Sequence, residues 1–224
     1  MKTRIITAIV LLIVILPCVI WGGLPFKALI GIVAGIAVFE MLSICNRPKA
    51  HIYLYPIVAI FVFYSLYFEK SLLISSEIII LYMIILMACS MFDEGMNFLR
   101  LCYYFTSGVL IAMGLHMLYQ LRLSYGLEYI LILALATFGT DTGAYFTGMC
   151  FGKHKLNPRL SPKKTIEGSI GGIFLGTVLS AGYGAYIQID MPIIWLIIMC
   201  FILTMTSQIG DLTFSSMKRT FEVK

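Results

Sequence analysis

Charged residues are scarce in this chain. Lys, Arg, Asp and Glu make up 12% of its 224 residues, about half the share in an average soluble domain. Hydrophobic residues make up 60% instead, which is more apolar surface than a soluble core of this size can bury. This composition excludes an ordinary soluble domain and indicates a polytopic membrane protein.

Several motifs are also lacking. The six cysteines are scattered, with no Cys-x-x-Cys pair and no His/Cys cluster, which argues against a disulfide framework and a zinc site. The stretch "GMCFGKH" lacks the Walker A spacing, so a P-loop ATPase fits the sequence poorly. No basic arm with interleaved aromatic residues stands apart from the apolar runs, which excludes a nucleic-acid partner. Trp21, Gly22 and Gly23 form no signal-peptide cleavage site, so we expect the first apolar run to be retained.

Long apolar runs fill most of the chain. A run of about 17 to 20 apolar residues crosses a bilayer core of ~30 Å as a helix, because lipid offers no partner to unpaired backbone groups. The sequence therefore predicts an all-α, polytopic helical membrane protein with about eight transmembrane helices. The runs are residues 5–21, 28–45, 52–68, 72–92, 101–121, 127–146, 170–189 and 191–209.

The positive charges predict an orientation. Thirteen of the 16 lysines and arginines fall on one side of such an eight-helix chain, and only Lys27, Lys70 and Arg122 fall on the other. Because Lys and Arg gather in cytoplasmic loops, we expect both termini in the cytoplasm. The basic inner face suits anionic lipids or solutes.

The basic loop at residues 147–169 is the longest polar stretch. "LSPKKT" is typical of a helix start, with Ser161 as N-cap and Pro162 in the first helical position. This interpretation places Lys163 and Lys164 in the first turn, where free amides and cations would bind phosphate. The alternative is that the loop only fixes membrane topology.

Two acids are predicted on the same side as this loop. Asp141 ends the sixth run, and Asp211 ends the eighth, on one helical face with Ser215 and Lys218. Acids within a span tend to face a partner or a watery cavity. Their oxygens beside phosphate-binding cations suit Mg²⁺, although Asp141 could instead pair with a loop lysine.

Three further features have mainly structural interpretations. Small residues recur at every fourth position of the seventh run, which favours close helix packing. His116 is expected to be a hydrogen-bonded core residue. Glu40, inside the second run, either lines a cavity wall or joins the site. The small-residue stripe is Gly168, Gly172, Gly176, Ser180 and Gly184.

Two stretches resemble the phosphatidate cytidylyltransferase (CDP-diglyceride synthase) family. Residues 141–172 read "DTGAYFTGMCFGKHKLNPRLSPKKTIEGSIGG", which is similar to the family's Asp-Thr-Gly-Ala-Tyr, Gly-Lys-His-Lys-Leu and Ser-Pro-Lys-Lys-Thr motifs. Residues 210–224 read "GDLTFSSMKRTFEVK", which is similar to the start of its carboxy-terminal signature. The family continues with Pro-Gly-His-Gly-Gly and a metal-binding Asp-Arg-x-Asp segment, so we expect this chain to be truncated there.

The resemblance implies one membrane-embedded domain over residues 1–224, with amino-terminal helices in 1–125 and catalytic helices plus the basic loop in 126–224. It implies transfer of CMP from CTP to phosphatidate, with Mg²⁺, at the cytoplasmic face of a bacterial inner membrane. The expected partners are CTP, phosphatidate and membrane lipid, and a homodimer is left open. Expected catalytic residues are Asp211, Lys163, Lys164 and Asp141, of which Asp211 and Asp141 bind metal; expected substrate-binding residues are Ser161, Thr165, Lys153, Lys155, Glu167, Ser215, Lys218 and Arg219.

Two other functions fit parts of the pattern. A small multipass anion transporter would also place charges in helices, but it predicts an internal repeat, and none is evident. A related lipid nucleotidyltransferase or kinase with another lipid acceptor would share the basic loop and the acids.

Overall fold

The computed structural model describes residues 13–45 and 51–221. The start of the first predicted run lies outside this part, as do Lys2, Arg4, Arg47, Lys49 and Lys224 of the charge pattern. The described part holds eight helices and one small hairpin. These are α1 (residues 13–21), α2 (Gly23–Cys45), α3 (Leu54–Tyr67), α4 (Ser76–Phe92), α5 (Phe98–Tyr125), α6 (Leu127–Phe151), β1 (Lys155–Asn157), β2 (Ser161–Thr165), α7 (Ile166–Tyr186) and α8 (Ile193–Thr220).

The predicted helical membrane class is confirmed, whereas the predicted number of about eight spans is confirmed only in part. Among the described helices, α2, α5, α6 and α8 are long and apolar enough to cross a membrane. Helices α3 and α4 have 14 and 17 residues, so they are only about 21 and 26 Å long. Helix α7 has the length, with 21 residues, but its glycines, serines and tyrosines make it less apolar. The eight spans are thus not confirmed.

The chain divides into two compact units, Met1–Leu127 and Glu128–Lys224. In the first, α5 packs against α2, α3 and α4. Arg122 near the end of α5 donates hydrogen bonds from Nε to the Val19 carbonyl (3.0 Å) and from Nη2 to the Ile20 carbonyl (2.9 Å). These carbonyls end α1, so Arg122 satisfies backbone groups that the helix leaves unpaired.

His116 is a hydrogen-bonded core residue, as predicted. It is fully buried, and its Nε2 lies 2.8 Å from the Ser71 carbonyl oxygen. Because a carbonyl only accepts, Nε2 carries the proton. Gln120 also donates to a backbone carbonyl of this loop, that of Glu69. Glu40 lies on an exposed part of α2 within the same unit.

The second unit is built on close contacts of α7 with α6 and α8. The predicted small-residue stripe of α7 is buried throughout. A Cβ built on Gly172 would lie 2.6 Å from the Thr140 carbonyl oxygen and 2.9 Å from the Ala144 Cβ. Gly139 and Gly143 of α6 meet the same stripe, so glycine faces glycine across this contact. The prediction of close packing is confirmed.

Replacing Gly172 by Ala should destabilise the second unit, because the added methyl group overlaps backbone atoms that cannot move aside. We expect a loss of about 1–3 kcal/mol of unfolding free energy, measured as a lower thermal midpoint in detergent. Gly182→Ala is the matched control on the same helix, since its methyl group would meet nothing within 4 Å. Equal midpoints for the two variants would contradict the packing argument.

Candidate active site in the second unit

A hairpin carries the predicted cations of the basic loop. β1 pairs antiparallel with β2, with Lys155 opposite Thr165 and Asn157 opposite Ser161. The Asn157 side chain accepts a hydrogen bond from the Leu160 backbone amide (3.2 Å), which closes the turn. The Ile166 amide donates to the His154 carbonyl (2.9 Å) and extends the pairing to the start of α7.

The predicted helix start at Ser161 is therefore wrong. Ser161, Pro162, Lys163 and Lys164 lie in β2, and α7 begins at Ile166. The N-cap is Thr165, whose extended backbone (φ −120°, ψ 155°) lets its hydroxyl accept from the Gly168 amide at 3.1 Å. Pairing with β1 holds residues 161–165 extended, and Pro162 is compatible with a strand at the edge of a sheet.

Thr165 is held by two glycines at the end of α6. A Cβ on Gly148 would lie 3.1 Å from the Thr165 hydroxyl oxygen, and one on Gly152 would lie 2.9 Å from its methyl carbon. Thr165 is almost fully buried as a result. The end of β2 and the start of α7 are thereby fixed against α6.

Glu167, which was predicted to bind substrate, holds the start of the hairpin in the structure. Its carboxylate accepts from the amides of Lys153 (3.1 Å) and His154 (3.2 Å) and lies 2.6 Å from the His154 ring nitrogen Nδ1. Because a carboxylate only accepts, Nδ1 carries the proton of this bond. The hydrogen bond from His154, followed by backbone amides, lowers the pKa of Glu167 to about 2.

Most of the predicted catalytic residues meet at a first cavity of about 380 Å³. Asp141 comes from α6, while Lys163, Lys164 and Thr165 come from β2. Asp211 lies beside this cavity, since its carboxylate forms an ion pair with the Lys164 ammonium. The lining residues are Asp141, Ala144, Tyr145, Gly148, Met149, Lys163, Lys164, Thr165, Gly168, Ser169 and Gln208.

A second cavity of about 330 Å³ lies between the hairpin and the end of α8. Three cations line it, namely Lys163 from β2 and Lys218 with Arg219 from the last turn of α8. Ser161 and Ser215 add hydroxyl groups. Lys163 lines both cavities, so the two sites share one cation. This arrangement can bind two anionic groups side by side.

The structure does not bring every predicted residue to these cavities. Lys153, Lys155 and Glu167 line neither cavity. Gln208 and Tyr145, which line the first cavity, were not predicted. Gln208 is an uncharged residue in an apolar helix, so the sequence pattern gives little indication of its role. Tyr145 could have been predicted, because it lies one helical turn beyond Asp141 on the same face.

The donor set at the first cavity fits a magnesium ion. Within the described part of the chain, no three His, Cys, Asp or Glu side chains come together as a complete metal site. Mg²⁺ commonly uses only one or two carboxylates and completes its shell with substrate phosphates and water. Asp141 and Asp211 are two such carboxylates, and the lysines beside them would hold the phosphates.

Comparison with known proteins gives consistent matches. The model of the cytidylyltransferase family matches residues 2–224. The phosphatidate cytidylyltransferase of Bacillus subtilis (strain 168) is 33% identical over 233 residues, covering 100% of this chain and 86% of that protein. The phosphatidate cytidylyltransferase of Staphylococcus aureus (strain COL) is 34% identical over 235 residues, covering 100% and 87%.

The contact between the Glu167 carboxylate and the start of the hairpin should depend on pH. Since its pKa in the folded protein lies below the ordinary value of 4.5, its stabilising effect is complete above about pH 4.5 and is lost as pH falls towards 2. Glu167→Gln should remove the charge at neutral pH and speed hydrogen exchange at the amides of Lys153 and His154. Glu128→Gln is the control, because Glu128 lies in the first turn of α6 and the hairpin follows the last turn. It should leave the exchange of these two amides unchanged. Unchanged exchange in Glu167→Gln would contradict this role.

Proposed function

This chain belongs to the cytidylyltransferase family and catalyses CTP-dependent synthesis of CDP-diacylglycerol, and we propose that the reaction takes place at the two cationic cavities of the second unit. The observation that supports this site is the convergence of Lys163, Lys164, Asp141 and Asp211 at the first cavity. The family membership favours this enzyme over the anion transporter and over lipid kinases.

The first cavity is the proposed binding site for the triphosphate of CTP. Lys163 and Lys164 neutralise phosphate oxygens, and the Thr165 cap keeps the first turn of α7 in place beside them. Asp141 and Asp211 are the proposed Mg²⁺ ligands. When bound, Mg²⁺ would neutralise negative charge on the phosphates during the transfer.

The second cavity is the proposed site for the phosphate of phosphatidate. Lys218 and Arg219 would bind it, and Ser161 and Ser215 would donate hydrogen bonds. Lys163, shared by both cavities, would hold this phosphate beside the CTP phosphates. A phosphatidate oxygen then forms a bond to the α-phosphorus of CTP, and the bond to pyrophosphate breaks. Positioning and charge neutralisation supply most of the rate enhancement in such transfers.

The chain is an integral membrane protein, and its relatives are bacterial. We propose the inner membrane as its location, with about eight membrane-inserted helices and the cavities facing the cytoplasm. The support is the concentration of positive charge in the basic loop and at the end of α8. Contact of the site with membrane lipid and assembly as a homodimer remain predictions.

Asp211→Asn and Lys164→Met should each lower turnover roughly 100-fold or more, because each removes a charge that the transition state requires. The assay measures formation of CDP-diacylglycerol from labelled CTP and phosphatidate with Mg²⁺. It uses the full-length protein purified from its native membrane. Asp190→Asn, at an exposed acid between α7 and α8, is the matched control and should keep full activity. Full activity in Asp211→Asn would rule out the proposed site.

Cys150 tests the orientation, because it is exposed at the end of α6 beside the hairpin. A membrane-impermeant thiol reagent should label it in inside-out vesicles and not in right-side-out vesicles, with the labelled peptide identified by mass spectrometry. Ser124→Cys, at the end of α5, should show the reverse pattern. Labelling of Cys150 from the outside would overturn the cytoplasmic assignment.

A further inference from the structure

Gln208 contributes an uncharged polar group to the first cavity. Its side chain donates from Nε2 to the Ser169 carbonyl on α7 at 2.9 Å. A Cβ built on Gly172 would lie 3.0 Å from this Nε2, so the side chain lies in the space that the glycine leaves. The carboxamide is thus positioned by two residues of α7 while lining the cavity.

The partner fixes which way the carboxamide points. A backbone carbonyl only accepts hydrogen bonds, so the NH₂ group must face Ser169. The other amide atom, Oε1, accepts no hydrogen bond from any residue in the described part of the chain. Gln208 therefore lines the first cavity with its Nε2 bonded to α7 and its acceptor Oε1 left for another partner.

Few groups on the two substrates can donate to this acceptor. Ionised phosphate oxygens and the ester oxygens of phosphatidate only accept, so they would be repelled by Oε1. The neutral donors are the amino group of cytosine and the hydroxyl groups of ribose. Lys163 and Lys164 on the hairpin side of the same cavity already provide for the phosphates. The acceptor thus matches the cytidine part of CTP.

We propose that Gln208 is a specificity-determining residue whose Oε1 accepts a hydrogen bond from the cytidine part of CTP, at the amino group or at a ribose hydroxyl. The inference rests on the proposed function of the cavity. A site built around such a bond discriminates against an analogue that lacks the donor, because the acceptor is then left unpaired. Uracil carries an oxygen where cytosine carries the amino group, so the penalty for UTP includes repulsion.

The test compares kcat/KM for CTP, UTP, 2′-deoxy-CTP and 3′-deoxy-CTP at saturating phosphatidate in the wild-type protein and in Gln208→Met. Methionine has a similar length but no comparable acceptor. The preference of the wild type for CTP over one of these analogues should fall about tenfold or more in the variant. A fall confined to the CTP/UTP ratio identifies the amino group, and a fall confined to a deoxy analogue identifies that hydroxyl.

Two further variants separate recognition from structure. Gln208→Glu keeps an acceptor oxygen but cannot donate to the Ser169 carbonyl, so it separates the two bonds: lower turnover with a retained nucleotide preference assigns the preference to the acceptor. Thr206→Val, whose hydroxyl bonds to its own helix at the Ile202 carbonyl, should change neither turnover nor preference. If Gln208→Met is inactive, displacement of bound labelled CTP by the same analogues gives the ratios instead.

Three results would overturn the inference. Equal losses for all nucleotides in Gln208→Met would show that the residue only ties α8 to Ser169. A changed Mg²⁺ requirement with unchanged ratios would show that Oε1 acts on the metal. Both results leave the proposed function intact, whereas a wild-type protein that makes no CDP-diacylglycerol would overturn the proposed function and this inference together.

Discussion

The backbone contact between α6 and α7 is the constraint on which the candidate site depends. In lipid, helices gain little from burying apolar side chains, so close van der Waals packing of small residues holds them together. Gly172 and Gly176 lie so close to α6 that even one methyl group would overlap backbone atoms. Because the same helices present Asp141 and Ser169 to the first cavity, their spacing also sets the spacing of the site. The glycine stripe therefore contributes to the candidate site indirectly, by fixing the distance between the two helices that carry its residues.

Thr165 connects this helix contact to the cations. It ends β2, caps α7 through its hydroxyl, and fits between Gly148 of α6 and Gly152, which directly follows that helix. Two lysines in a first helical turn would oppose the helix dipole at a small cost each. The hairpin avoids this cost, because Lys163 and Lys164 approach the cavity from a strand. The lysines can therefore attract an anion from the strand, while the Ile166 and Gly168 amides stay paired within the fold.

The sequence predicted those features that depend on local pattern. Apolar runs indicate helices, the four-residue spacing of Gly168, Gly172 and Gly176 indicates a packed face, and polar residues in an apolar chain indicate the site. It did not predict the hairpin, because Pro162 suits a helix start as well as an edge strand. The deciding interaction is the pairing of Lys155 with Thr165, ten residues apart. The lengths of α3 and α4 were overestimated, because the ends of these two apolar runs lie in loops and not in the helices.

The charged side chains near the site fall into two groups. Lys164 and Asp211, where substrates are proposed to bind, form an exposed ion pair, whereas Glu167 is held by several hydrogen bonds that support the fold. Glu167 is held by two backbone amides and His154, and the lowered pKa keeps it ionised through the neutral range. The Asp211 and Lys164 side chains are instead 55% and 29% exposed, and such an exposed pair contributes little to stability. The pair can therefore open at little cost in free energy, and in the proposed reaction Lys164 would turn to a phosphate and Asp211 to a cation. An acid and a lysine that neutralise each other can thus be kept at the same cavity without destabilising the fold, and we expect them to act as separate binding groups when a substrate brings phosphate and metal to the site.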